Sequence, residues 1–124
     1  MIGIIGAMDE EVAMLKEKLT AVQVETKAAM DFYKGKLEGK DVVVVRSGIG
    51  KVNAAMCAQI LADVYHADHV INTGIAGSLK AEINIGDIVL STDALQHDMD
   101  ARAFGYEPGQ IPRVDTLSFK ADEK

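Results

Sequence analysis

The chain is short of cysteine, of basic charge, of aromatic rings and of long apolar runs, and each shortage removes a class of function. Its single cysteine, Cys57, has no internal partner, so no disulfide framework is available and a reducing, cytoplasmic setting is expected. Lysine and arginine number 13 against 19 acids, a net charge of −6. That sign argues against nucleic acid as a partner, and against an anionic membrane surface. No apolar stretch approaches the roughly 20 residues that span a bilayer. The first residues are apolar but carry no basic stretch and reach acid by Asp9, so no secretory signal is expected there. There is no internal repeat and no low-complexity tract. Aromatics make up only 5% of residues, so Phe104 and Tyr106, two rings in one loop, stand out.

Apolar residues are plentiful: 48% of 124 residues suffice for one folded domain with a core. Their spacing reads as α/β. Residues 1–5 are a continuous apolar run, the pattern of a strand buried on both faces. Gly6 turns the chain. Asp9, a candidate N-cap, opens a helix whose apolar positions Met8, Val12, Leu15 and Leu19 share one face. Lys16 and Lys18 suit the negative end of its dipole. The helix is expected to fade near Thr20, where β-branched residues begin. Residues 30–37 and 41–46 flank Glu38-Gly39-Lys40 and read as a β-hairpin. Val42-Val43-Val44-Val45 is too apolar for a half-wet strand, which makes that arm central. After Ser47-Gly48-Ile49-Gly50 a helix is expected to about Tyr65, with Cys57, Ile60, Leu61 and Val64 on one face. Residues 69–73 read as another buried strand, ending in the second glycine loop, Gly74-Ile75-Ala76-Gly77-Ser78. One more strand is expected from Ile88 to about Ala94. Residues 97–124, with Gly105, Pro108, Gly109 and Pro112, keep no period and read as a long loop.

Three strand ends carry glycine, after Ile5, Arg46 and Thr73. Glycine at a strand end lets a ligand approach the backbone. If the three strands are neighbours in one sheet, their loops converge where α/β folds place ligands. Neither glycine loop completes a nucleotide motif. Gly3 and Gly6 do not make G-x-G-x-x-G, and Asp9-Glu10-Glu11 occupies the place of a pyrophosphate. A P-loop ending at Gly50-Lys51 would need glycine at Val45 and a hydroxyl at Val52. The acidic turn is open to two readings: ordinary helix starters, or a carboxylate beside a site for a neutral molecule or water. The loop at Ser47 is either a tight turn or the lining of a cleft. His66 and His69 have no flanking acid or cysteine at a useful spacing, and His97, Asp98 and Asp100 read as a polar loop, so no metal and no cofactor are expected. Cys57 reads as a small core residue. Phe104 and Tyr106 are either tucked under their own loop or offered to a partner.

Taken together, Ile2-Gly3-Ile4-Ile5-Gly6-Ala7-Met8-Asp9-Glu10-Glu11, Ser47-Gly48-Ile49-Gly50-Lys51-Val52, Ile71-Asn72-Thr73-Gly74-Ile75-Ala76-Gly77, His97-Asp98-Met99-Asp100, Ala103-Phe104-Gly105-Tyr106-Glu107 and Gln110-Ile111-Pro112 resemble a known family. It is that of the 5′-methylthioadenosine/S-adenosylhomocysteine nucleosidases, within the purine and uridine phosphorylase superfamily. The match runs in order over essentially the whole chain. It implies a three-layer fold, a mixed sheet between flanking helices, and a homodimer. It implies hydrolysis of the N-glycosidic bond of either nucleoside, with adenine as the shared product. By resemblance, Glu11 activates the water, Met8 and Ile49 line the ribose and alkylthio region, and Ala76 and Gly77 lie along the adenine. Phe104 and Pro112 would reach into the neighbouring subunit's pocket.

Two departures accompany the resemblance. Ile75 stands where some members carry serine. The family chain is about twice as long, and its other half supplies the aspartate that protonates the purine, a ribose-binding glutamate and much of the adenine pocket. Residues 1–124 are therefore expected to be the N-terminal part of a single nucleosidase domain, with the separate C-terminal half as a candidate partner. The alternatives are a phosphate-dependent nucleoside phosphorylase of the same superfamily and a catalytically incomplete fragment that only binds or dimerises. The residues themselves favour hydrolysis: a phosphorylase needs cations to hold phosphate, whereas three acids suit a site that activates water.

Overall fold

Consecutive residues of a strand point to opposite faces of its sheet, so four valines in a row demand cover on both. In the computed structural model, which describes residues 1–123, two helices supply that cover. The chain divides into a first unit, Met1–Gly77, and a second from Ser78 onward. In the first, β1 (Ile2–Gly6), β2 (Thr20–Lys27), β3 (Met30–Leu37), β4 (Lys40–Arg46) and β5 (His69–Asn72) form one sheet in the order β2-β3-β4-β1-β5. β1 runs parallel to β4 and to β5, while β2, β3 and β4 are antiparallel neighbours. On one face Ile4, Val42 and Val44 pack with Val12 of helix α1 (Asp9–Lys18) and with Leu19, which caps it. On the other, Ile5, Phe32, Val43 and Val45 pack with Cys57 and Leu61 of helix α2 (Lys51–Asp63) and with Tyr65 just beyond it. Helix, mixed sheet, helix is the three-layer α/β arrangement expected.

The edges of the sheet differ from the sequence reading. Residues 20–27 form a strand where only the fading of a helix was expected. Thr20, Val22, Val24 and Thr26 alternate as β-branched residues, but β2 is a sheet edge exposed along nearly its whole length, so no apolar–polar contrast marks it. Its pairing with β3 is interrupted between Thr20 and Gln23, where Ala21 takes a φ of 53°. The expected hairpin is therefore the inner part of a three-stranded meander. At the other edge, β5 was expected to be buried, yet Val70 is 46% and Ile71 51% exposed. An apolar run shows that a strand suits burial; among the described residues only β1 pairs with it. α2 ends at Asp63 rather than near Tyr65, and Val64 is exposed.

In the second unit, the strand expected from Ile88 is mostly irregular: only β6 (Asp93–Ala94) pairs, with β7 (Phe119–Lys120). Ile88, Val89 and Leu90 are exposed. Among the described residues their β propensity has no partner edge to act on. The long loop holds a single 3₁₀ turn, Arg102–Phe104, and β7 near its far end. No helix among the described residues is long and apolar enough to cross a membrane.

Tyr65 ties β2 to the core. Its ring stacks on Phe32 with centroids 5.1 Å apart, and its hydroxyl donates to Glu25 Oε2 at 3.1 Å. Burial, reinforced by that bond, pushes the phenol up to about 12. Tyr65→Phe keeps the stack and removes the bond, whose acceptor is largely in solvent. Urea unfolding should therefore show a small fall in the midpoint, less than a buried bond to a charged group would give. An unchanged midpoint would mean that ring packing alone secures the edge.

Candidate active site

The strand order β4-β1-β5 sets the three glycine-bearing strand ends side by side. The ladder runs on past the strands: the Ser47 N–H donates to Gly6 O at 2.9 Å, and the Thr73 N–H to Ile5 O at 2.9 Å. The loop after β4 turns through Gly48 and Gly50, at φ 85° and 100°. Those are left-handed values that side chains resist. Asn53 Nδ2 donates to Ile49 O at 2.8 Å and holds the loop, whose Ile49 side chain is 74% exposed.

Glu11 joins two of these loops, those after β1 and β5. Met8, not Asp9, is the N-cap of α1, with extended backbone at φ −125° and ψ 159°. Methionine has no side-chain oxygen to cap the helix, and Glu11, in the third helical position, folds back onto the N–H groups of Met8 and Ala7, as in half of a capping box. Its Oε2 accepts from the Ala7 N–H at 2.8 Å and the Met8 N–H at 3.0 Å. Its Oε1 accepts from the Ile75 N–H at 3.1 Å, tying the start of α1 to the loop after β5. Asp9 instead pairs with Arg46 Nε at 3.4 Å and Lys16 Nζ at 3.7 Å, and Glu10 is exposed. Of the three acids, only Glu11 accepts from the backbone N–H groups that follow β1 and β5.

The Ile75 N–H foremost, then that of Met8, hold the Glu11 carboxyl below the ordinary glutamate range; partial desolvation opposes this, and the Ala7 N–H adds to the lowering. The group is thus a fixed, ionised carboxylate at neutral pH. It can orient a water molecule and stabilise positive charge developing nearby. Its low basicity is no handicap for attack on an oxocarbenium-like centre. There the water proton becomes strongly acidic once the new C–O bond forms, and a weak base suffices.

The remaining sequence-predicted residues divide between the units. Met8 supplies an N–H to Glu11 and is half-buried, and Ala76 and Gly77 follow Ile75 directly on exposed backbone. The Glu11 cluster draws on the first unit, whereas Phe104 and Pro112 belong to the second. There the Tyr106 hydroxyl accepts from the Arg113 N–H at 3.3 Å and the ring is half-buried, while Phe104, ending the 3₁₀ turn, is 83% exposed. Of the two rings, Tyr106 is tucked under its own loop and Phe104 is offered outward. Asp100 is held by a two-pronged pair with Arg102, at 2.9 Å and 2.7 Å, which lowers it to about 2. Burial raises the Cys57 thiol to about 11, the state of an inert core cysteine. Sequence reasoning missed the three backbone donors on Glu11 and the pairing of Arg46. The spacing of a cap and an acid three residues on could have signalled the first; nothing in the sequence signals the contact with Ile75.

The profile of the Phosphorylase superfamily matches residues 1–124. The chain belongs to this superfamily. It is 50% identical over 124 residues to the 5′-methylthioadenosine/S-adenosylhomocysteine nucleosidase of Staphylococcus haemolyticus, covering 100% of this chain and 54% of that protein. A nucleosidase of the same name from Colwellia psychrerythraea, solved in complex with adenine, superposes with a TM-score of 0.95 at 49% identity, covering 98% of this chain and 50% of the other. The nucleosidase from S. pneumoniae with the transition-state inhibitor MT-ImmA gives a TM-score of 0.93 at 42% identity, over 98% and 53% of the two chains. The chain spans about half the length of the curated relatives it matches.

Proposed function

We propose that this chain supplies the water-activating part of a hydrolase that cleaves the N-glycosidic bond of 5′-methylthioadenosine and S-adenosylhomocysteine, releasing adenine. The observation that carries the proposal is the ionised Glu11 carboxylate fixed between the ends of the neighbouring strands β1 and β5. The relatives named above support the substrate class. Met8 and Ile49 line the ribose and alkylthio region, Ala76 and Gly77 lie along the adenine, and Phe104 and Pro112 cover the alkylthio group of a second subunit. On this reading residues 1–124 are the N-terminal part of one domain that works as a cytoplasmic homodimer, and a C-terminal half completes the pocket. The exposed apolar edge of β5 supports such a complement.

Arg46, a cation at the end of β4, is the one observation that favours phosphorolysis. It pairs with Asp9, however, so the charge an incoming phosphate would need is already matched. The full-length protein, incubated with methylthioadenosine in phosphate-free buffer, should release adenine at a rate that added phosphate leaves unchanged. Adenine release only on addition of phosphate would establish the phosphorylase instead.

A further inference from the structure

A carboxylate offers about four lone-pair directions. On Glu11 both directions of Oε2 are occupied, by the N–H groups of Ala7 and Met8, and one of Oε1 is occupied by that of Ile75. One acceptor direction remains, on Oε1, the oxygen held by the Gly74–Ile75 peptide. Gly74 has an ordinary negative or extended φ, so conformation does not demand glycine there; space does. A Cβ on Gly74 would overlap Glu11 Oε1 and lie 2.8 Å from Cδ and 3.2 Å from Oε2, whereas one on Gly77 would meet nothing within 4 Å.

We propose that Gly74 is a positioning residue for the hydrolysis: its missing side chain lets the Ile75 N–H grip Oε1, which directs the one free acceptor of Glu11 at the attacking water. The inference rests on the hydrolytic reading above. In the step itself the bonding pair of the C–N bond leaves with the purine, and the water oxygen supplies the pair of the new C–O bond. The water proton passes to Glu11 Oε1. Glu11 then releases that proton to solvent and the departing purine takes one up, so the net reaction consumes one water.

The test follows the Glu11 carboxylate of the full-length protein by carbon-13 NMR against pH, beside pH–rate profiles. Gly74→Ala pushes the carboxylate off its seat, and Ile75→Pro removes the N–H while residue 74 stays glycine. Each should raise the Glu11 titration midpoint, because the foremost cause of its depression is lost. Ile75→Ala keeps the N–H and should leave the midpoint where it is. Gly74→Ala should also lower kcat roughly tenfold with KM little changed, the loss expected for one hydrogen bond to a charged group, and move the acid limb of the rate profile upward. Should Gly74→Ala not fold, Ile75→Pro carries the same expectations. An unmoved midpoint and acid limb in folded variants would overturn the proposal. A wild-type enzyme that needs phosphate would overturn the hydrolytic reading instead, and the NMR midpoints keep the two failures apart.

Discussion

Glu11→Gln in the full-length protein should lower kcat for methylthioadenosine hydrolysis by roughly 10²- to 10⁴-fold, the usual contribution of a general base, while KM changes little. The substitution is nearly isosteric, but the hydrogen bonds around it are one-sided. All three neighbours on the carboxylate are N–H donors. A carboxamide has only one oxygen. It can face Ala7 and Met8 or face Ile75, and its NH₂ group then meets donors on the other side. The variant therefore loses the base and also one grip on the loop after β5. A fall in kcat at constant KM, with melting temperature only modestly lowered, separates the chemical loss from the structural one. The pH profile adds a signature. Because its hydrogen bonds depress the Glu11 carboxyl, wild-type activity should hold as pH falls through the ordinary glutamate range and drop only below it. The same group stabilises the fold above its unfolded pKa, and that contribution disappears as pH falls through its lowered folded value. The glutamine variant lacks both dependences. A near-normal rate in a folded variant would strip Glu11 of its role.

The interior of the first unit was legible because its residues permit few alternatives. Val42-Val43-Val44-Val45 needs apolar cover on both faces, and the alternation that sends Val42 and Val44 toward α1 and Val43 and Val45 toward α2 follows from strand geometry alone. The acidic turn was legible as composition, though not as geometry. The acidic run shows that a carboxylate stands beside a strand end, and only the fold shows that Asp9 turns to Arg46 while Glu11 turns to Ile75. The edges were not legible. β2 hides because an exposed strand needs no apolar period, and β5 misleads because its apolar run implies a cover that pairing within the described residues does not provide. Met8 rather than Asp9 stands at the cap because Glu11, three residues downstream, holds the N–H groups of Met8 and Ala7, a long-armed contact that the local preference for Asp does not register.

The second large effect belongs to Phe104. Phe104→Ala should weaken productive binding of methylthioadenosine by about one to two decades, yet affect plain adenosine much less. The ring is 83% exposed at the end of a 3₁₀ turn, where Gly105 reverses the chain at φ 86°. An aromatic ring displayed on such a turn gains nothing from its own chain; covered by a partner it would contribute roughly 1.5–3 kcal/mol, at about 1.4 kcal/mol per tenfold in affinity. If it covers the apolar 5′ group of a substrate in the neighbouring subunit, the loss must scale with the size of that group. Subunit mixing tests whose pocket it serves. Glu11→Gln and Phe104→Ala homodimers are each impaired at both sites. In a mixed dimer with shared pockets, one pocket carries both lesions and the other carries neither. Each mixed dimer should then recover about half the activity of a wild-type dimer, as follows from counting intact pockets that act independently. If Phe104 instead served its own subunit, every pocket would keep one lesion. No recovery after demonstrated subunit exchange would therefore end the case for a shared site and return Phe104 to the pocket of its own chain.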